Sequence, residues 1–180
     1  PDQGTIMKFL LFGAAIALVA LPAFAADIDC GSASLVKSQK LRLEACLDTS
    51  VWESSQSGGD QEFVYFSKDG KAGFAIITET PSVDLKAYHD TILQFAGKQS
   101  GAPQPLASFD DATASINGKD WGSMHYTVKV QDNTLEFLNY YYSEPGLGST
   151  QFIFWSLPAD AATVQNDLAA KVMPTVTVVQ

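Results

Sequence analysis

The chain has 180 residues, with 20 Asp and Glu against 11 Lys and Arg, which gives a formal net charge of −9 at pH 7. This charge argues against binding to nucleic acid or to an anionic membrane surface, because both require a basic footprint. The acidic residues are scattered and form no tail, which indicates a solvated surface more than a dedicated cation-binding one.

Residues 7–25 have the three parts of a secretory signal peptide. Met7 and the basic residue Lys8 precede an unbroken small-apolar run from Phe9 to Ala20, and Ala23-Phe24-Ala25 forms an A-x-A cleavage box. The run is shorter than the roughly 20 residues that a membrane-spanning helix needs. We therefore expect cleavage near Ala25, a periplasmic or secreted protein, and no stable membrane insertion of the mature chain.

Residues 26–180 are predicted to form a single globular domain, because their number suits one hydrophobic core. Within it, residues 26–61 form an N-terminal segment that carries both cysteines, and residues 62–173 form the core. Residues 1–6 have no targeting character, and we interpret them as non-native or upstream residues.

The two cysteines, Cys30 and Cys46, lie in a stretch, residues 30–61, that is polar and predicted to be irregular. An even cysteine count in an exported protein predicts a disulfide between them. Their spacing is not C-x-x-C and no histidine is nearby in the sequence, which argues against a metal site or a redox pair.

Turn signals divide the core into strands. Asp69-Gly70 and Asn117-Gly118 are two-residue hairpin signals, and Asp132-Asn133 can make a third turn of the same length. Because the connections are local, the strands should pair antiparallel. The strands predicted around these turns are residues 62–67, 72–78, 113–116, 121–130, 134–142 and 151–157.

Two helices are predicted beside these strands. The first should be capped by Ser82 or Asp84, run to Ala96 and stop at Gly97, and the second should run over residues 160–172. The apolar side chains of the first recur at helical spacing and predict one buried stripe: Leu85, Tyr88, Ile92 and Phe95. The order of elements predicts an α+β fold, an antiparallel sheet of about five to six strands flanked by two main helices.

The turn at Asp132-Asn133 sets the predicted register of the two longest strands. With those two residues as the turn, Lys129 opposes Glu136 in a favourable charge pair and His125 opposes Tyr140. A slip by one residue would move each side chain to the wrong face of the sheet.

One face of these two strands carries aromatic side chains with polar tips, which suit recognition of a ligand or a partner. The candidate binding residues on this face are Trp121, His125, Tyr140 and Tyr142. The alternative interpretation is that the last helix covers this face and that its polar groups bond to loops.

A hydrolase is a further possibility, with Ser123 and His125 two residues apart on one strand. Against it, the chain has no G-x-S-x-G nucleophile elbow. His89 is followed by Asp90 and has no second ligand four residues on, so no metal site is predicted. No cofactor is predicted either.

A series of features runs through residues 52–173. It consists of the segment Phe63 to Lys71, the helix from Val83, the strand and turn from Ile116 to Trp121, the long strand 135–142, and the strand from Gln151 to Trp155 with its closing helix. This series resembles the PsbP-like (Mog-type) fold and, within it, the DcrB-like group of exported bacterial proteins. The resemblance implies an α/β/α sandwich with a non-enzymatic binding or assembly role, and it lends no site residues.

These observations favour an exported, soluble, non-enzymatic binding or adaptor protein of the bacterial cell envelope. Its partner, an envelope protein or a small ligand, is not identified by the sequence. An envelope structural or inhibitor protein that acts through its acidic surface is the first alternative, and the small hydrolase that uses Ser123 and His125 is the second.

Overall fold

The computed structural model describes residues 28–102 and 104–179. The signal peptide expected at residues 7–25, its cleavage site near Ala25 and the six residues before it lie outside the described residues.

Both sheets are antiparallel, and together they contain the ten strands of the described chain. The strands are β1 (Ser34–Lys37), β2 (Leu43–Leu47), β3 (Trp52–Ser55), β4 (Gln61–Ser67), β5 (Ala72–Glu79), β6 (Phe109–Ile116), β7 (Lys119–Val130), β8 (Asn133–Glu144), β9 (Gly148–Ser156) and β10 (Thr177–Val178). Seven of them form one sheet in the order β3-β4-β5-β9-β8-β7-β6, and the other three form a small sheet in the order β1-β2-β10.

Two helical regions accompany the sheets. The first is helix α1 (Leu85–Ser100). The second, which we call the C-terminal helical segment, covers residues 158–175. It comprises a 3₁₀ turn (Pro158–Asp160), α-helical residues (Ala161–Thr163), a π-helical stretch (Val164–Ala169), α-helical residues (Ala170–Val172) and a second 3₁₀ turn (Met173–Thr175). The predicted α+β fold with antiparallel strands and two helical regions is confirmed.

The N-terminal segment is the main departure from the predicted strand count. Residues 30–61 were expected to be irregular, but they contain β1, β2 and β3, and this expectation was wrong. All five residues of β2 are buried, and its second partner is β10, more than 120 residues later in the chain. Pairing between such distant segments leaves no local turn signal in the sequence. The predicted disulfide between Cys30 and Cys46 is confirmed.

The turn between β7 and β8 lies one residue earlier in the chain than predicted. His125 pairs with Leu138 and Ser123 pairs with Tyr140, so the predicted pairing of His125 with Tyr140 was wrong. The turn residues are Gln131-Asp132, and Gln131 itself adopts a positive φ of 56°. The register differs by two residues, an even number, so every side chain keeps its predicted face.

Helix α1 starts as expected and ends later. The Asp84 side chain accepts a hydrogen bond from the backbone N–H of Ala87 at 3.1 Å, which confirms it as the cap. The helix passes through Gly97 and ends at Gly101, whose φ of 73° suits a left-handed C-cap. Gly97 serves close packing instead, because a Cβ there would lie 3.0 Å from the backbone oxygen of Gln104.

The two faces of the seven-stranded sheet are covered to different extents. We call the first the closed face. The C-terminal helical segment and the small sheet pack on it around a core of large side chains, which includes Trp52, Phe74, Trp121, Phe152, Phe154, Leu43, Leu47, Val164 and Val172.

The second face, which we call the open face, is covered by α1 in one half. Tyr88, Ile92 and Leu93 of α1 pack against Met124, Tyr126, Val128 and Tyr141 of β7 and β8. Phe95 was predicted to belong to the buried stripe of α1, but its side chain is 47% exposed. That prediction was wrong because α1 does not extend its cover over the neighbouring strands β9 and β5.

Candidate ligand-binding groove

A groove runs between α1 and the half of the open face that the helix leaves uncovered. Its volume is about 650 Å³, which lies in the range of small-molecule sites in proteins. Its apolar lining comes from both sides, with Ala75 and Ile77 of β5, Ile153 of β9 and Phe95 of α1. The loop of residues 58–61 lines it as well. A preformed apolar concavity of this size is what a ligand with an apolar body requires.

Four aromatic side chains form a row across the open face: Phe66, Trp155, Phe137 and Tyr126. The centroids of neighbouring rings lie 6.0, 6.1 and 5.1 Å apart along this row. Gly73 makes the row possible, because a Cβ at that position would lie 2.0 Å from Cε2 of the Trp155 indole. Trp155, Phe137 and Tyr126 line the groove, and Phe66 continues the row into solvent. The row therefore offers ring faces and edges at one end of the groove.

The opposite end of the groove is polar. At this end the Tyr88 hydroxyl donates to Glu79 Oε2 at 3.3 Å. Gln151, which also lines the groove, accepts a hydrogen bond at 2.9 Å from the side-chain N–H of the buried Asn139. A hydrogen bond between Gln151 and Tyr88 joins the two pairs. Burial raises the pKa of Tyr88 well above its ordinary value. Tyr88 is therefore a neutral donor at physiological pH, and the carboxylate of Glu79 is the end of the chain of hydrogen bonds.

A polar cluster on the far side of α1 links the helix to the region of β6. His89 Nδ1 lies 3.0 Å from Asp90 Oδ1, and its Nε2 lies 3.3 Å from Ser108 Oγ and 3.4 Å from Asp111 Oδ2. The Ser108 hydroxyl donates to Asp111 at 2.9 Å, so its hydrogen is directed away from the histidine. The cluster thus ties the helix to the edge of the sheet near β6.

The candidate residues that the sequence singled out lie on the closed face. Trp121 is 1% exposed and stacks on Tyr142 with ring centroids 5.0 Å apart. His125 is buried, with Nδ1 at 3.2 Å from Gln165 Nε2 in the C-terminal helical segment. Tyr140 is half-buried and packs against the same core. The structure brings the four residues to one face beneath that segment, and a binding role for them stays a prediction.

Ser123 and His125 share that face, and each bonds to other residues there. The Ser123 hydroxyl donates to the backbone oxygen of Ala112 at 3.4 Å. His125 Nδ1 lies 3.5 Å from Glu136 Oε1 in addition to its contact with Gln165. Within residues 28–102 and 104–179, no hydrogen bond joins Ser123 to His125, so the hydrolase alternative lacks the contact on which it depends.

Residues 28–102 and 104–179 contain neither a metal-site cluster nor a membrane-spanning helix. In that part of the chain, no cluster of three or more His, Cys, Asp or Glu side chains has the arrangement of a metal site. Among the described helices, none is both long enough and apolar enough to cross a membrane.

Comparison with solved structures identifies the architecture. Cyanobacterial PsbP (CyanoP) from Synechocystis is similar over 90% of this chain and 99% of its own, with a TM-score of 0.64 and 14% sequence identity. This chain has a PsbP-like fold. A protein from Bacteroides thetaiotaomicron is similar over 83% of this chain, with a TM-score of 0.56 and 11% identity, and the match spans 49% of that protein. No protein-family model and no curated protein sequence matches. At these identities the likeness shows the fold alone.

The groove was missed by sequence reasoning, although two signals for it are present in the chain. Phe95 was predicted to lie on the buried stripe of the first helix, and Trp155 was assigned to the predicted strand of residues 151–157. The run of small residues on the open face of β5, Gly73 and Ala75, was the second signal. Both signals become informative only when the position of α1 over β7 and β8 is known.

Proposed function

We propose that this protein is an exported, non-enzymatic binding protein of the bacterial cell envelope, and that it holds a small apolar or amphipathic ligand in the open-face groove. The observation that carries the proposal is the groove itself, an apolar concavity of about 650 Å³ with aromatic rings at one end and hydrogen-bonding groups at the other. This combination is typical of sites for small organic ligands.

Export is supported by two features of the chain. Residues 7–25 have signal-peptide character, and the Cys30–Cys46 disulfide suits an oxidising compartment. The PsbP-like fold supports a binding role by analogy only, since one fold hosts many functions. Membership of the DcrB-like group stays a prediction.

A blocking variant tests the proposal. Thr91 is exposed on α1 and lines the groove, so Thr91→Trp would place an indole in the cavity from the helix side. Gln94 is exposed on the same helix and does not line the groove, so Gln94→Trp is the matched control. The neutral apolar dye Nile red, whose fluorescence rises in an apolar environment, serves as the probe.

We expect saturable dye binding to the wild-type protein and to Gln94→Trp, with affinity lowered about tenfold or more in Thr91→Trp, because the indole replaces contacts that the dye would make. Circular dichroism and a urea unfolding curve establish that both variants are folded. Equal affinities in all three proteins would show that the groove is not the site and would overturn the proposal.

A further inference from the structure

The ends of the groove differ in chemistry, and this difference limits what the ligand can be. The groove runs along β5 from Gly73, beside the aromatic row, to Glu79, a distance of about 20 Å at ~3.3 Å per residue. Between these ends its lining is mostly apolar, with Ile77, Ile153 and Phe95, and it includes Thr91. An occupant that fills it therefore has an apolar body and one polar end.

The hydrogen bonds at the polar end terminate on a carboxylate. Tyr88 donates to Glu79, and behind it Asn139 donates to Gln151. Among residues 28–102 and 104–179, no Lys, Arg or His lies within ion-pair distance of Glu79. Lys40, which bonds the backbone next to it, donates to the Thr78 carbonyl oxygen at 3.4 Å. Glu79 thus accepts a hydrogen bond from Tyr88 and lines the groove without an ion pair in that part of the chain.

The remaining charges around the groove favour the same class of ligand. Asp60 also lines the cavity, Lys129 is the basic residue that lines it, and the chain as a whole carries a net charge of −9. A carboxylate or sulfate head would meet Glu79 as a like charge, whereas an ammonium group would form a charge-assisted hydrogen bond with it.

We infer that the ligand of this groove is an amphipathic amine, with a protonated amine at Glu79 and an apolar chain or ring system that extends toward Trp155. This inference rests on the proposed function and adds the chemical class of the ligand. The aromatic row would contact the apolar end, and the Glu79 carboxylate would select the charge of the head group.

The test compares two probes that share one apolar chain and differ in the charge of the head. Dodecylammonium and dodecyl sulfate, each below its micelle-forming concentration, are titrated calorimetrically into the wild-type protein, Glu79→Gln and Thr91→Trp. Glu53→Gln is the matched control, since Glu53 is exposed on β3 outside the groove and the substitution changes the net charge equally. Circular dichroism confirms that the variants are folded.

We expect the wild-type protein to bind dodecylammonium about tenfold more tightly than dodecyl sulfate. Glu79→Gln should lower the affinity for dodecylammonium about tenfold, and Glu53→Gln should leave that affinity unchanged. Thr91→Trp should lower the affinity for dodecylammonium as well. If Glu79→Gln has no effect, or the same effect as Glu53→Gln, while Nile red remains sensitive to Thr91→Trp, the amine assignment is overturned and the groove function stands. If Thr91→Trp alters the binding of no probe, both are overturned.

Discussion

The two faces of the seven-stranded sheet carry similar apolar residues but are covered to different extents. On the closed face, Phe74 and Phe154 are fully buried beneath the C-terminal helical segment and the small sheet. On the open face, Ile153 and Trp155 of the same strand β9 are only partly buried, because α1 lies over β7 and β8. The first face provides stability, and the second retains an apolar surface that a folded protein would otherwise cover. Large apolar surfaces left in this way mark interaction sites.

Adjacent residues on β9 allow the contrast to be tested directly. Phe154 is 0% exposed and stacks on Phe74 with ring centroids 4.6 Å apart. We expect Phe154→Ala to lower the free energy of unfolding by about 3–5 kcal/mol, because it leaves a cavity in the core. Ile153→Ala, on the open face of the same strand, should cost about 1 kcal/mol and weaken Nile red binding. Urea unfolding curves measure both, and equal losses would mean that the two faces are equally covered.

Removal of the disulfide should affect the closed face alone. The Cys30–Cys46 bond closes a loop in the segment that forms the small sheet, and Cys46 N–H donates to Thr175 Oγ1 of the C-terminal helical segment at 2.9 Å. The two cysteines are 16 residues apart in the sequence. The double variant Cys30→Ser/Cys46→Ser should therefore lose about 3 kcal/mol of unfolding free energy, because the unfolded chain gains the entropy of the opened loop. Its Nile red affinity, measured where the variant is still folded, should match that of the wild type. A parallel loss of dye binding would argue that the groove depends on the N-terminal segment.

High pH should weaken the part of the open face that α1 covers. Burial raises the pKa of Tyr126 to about 12, against an unfolded value of about 10. The folded state therefore holds this proton more tightly, so stability is fully present below about pH 10 and is lost as the pH rises toward 12. At pH 11 this one group should cost about 1.4 kcal/mol. The loss of stability between pH 8 and pH 11 should be smaller by that amount in Tyr126→Phe, and an unchanged loss would contradict the assignment.

Phe95→Ala should have the smallest effect on stability and a clear effect on binding. The ring is 47% exposed and lines the groove, so the free energy of unfolding should change by less than about 0.5 kcal/mol. Nile red affinity should fall about fivefold, because the dye loses an apolar contact. Leu157→Ala is the control, since Leu157 is 46% exposed outside the groove. A similar loss of affinity in both variants would point to non-specific binding.

Local signals in the sequence predicted the parts of the fold that depend on local chemistry. Asn117-Gly118 forms the expected two-residue turn, in which Ile116 pairs with Lys119. The strand periodicity also assigned Trp121 and Tyr142 to one face. The turn after β7 was predicted one residue too late, at Asp132-Asn133. The turn residues are Gln131-Asp132, and Gln131 adopts a positive φ of 56°, which is more common for Asn and Asp.

The groove could not be predicted in the same way, because it depends on tertiary placement. The sequence identifies the first helix and its apolar residues, but not which strands the helix covers. If α1 covered β9 and β5, Phe95 and Trp155 would be buried. Because α1 lies over β7 and β8, both side chains line the groove. The contacts of α1 there join separate segments of the chain, through its apolar residues packed on β7 and β8 and through the His89 cluster near β6.

Backbone amide mapping by NMR tests the central claim most directly. Dodecylammonium or Nile red is titrated into isotope-labelled protein, and amide shifts are followed on both faces of the sheet. The account predicts the largest changes at Ile77, Ile153 and Thr91, which surround the groove, and small changes at Tyr140 and Gln165. Changes centred on Tyr140 and Gln165, with the groove amides unaffected, would place the site on the closed face and contradict it.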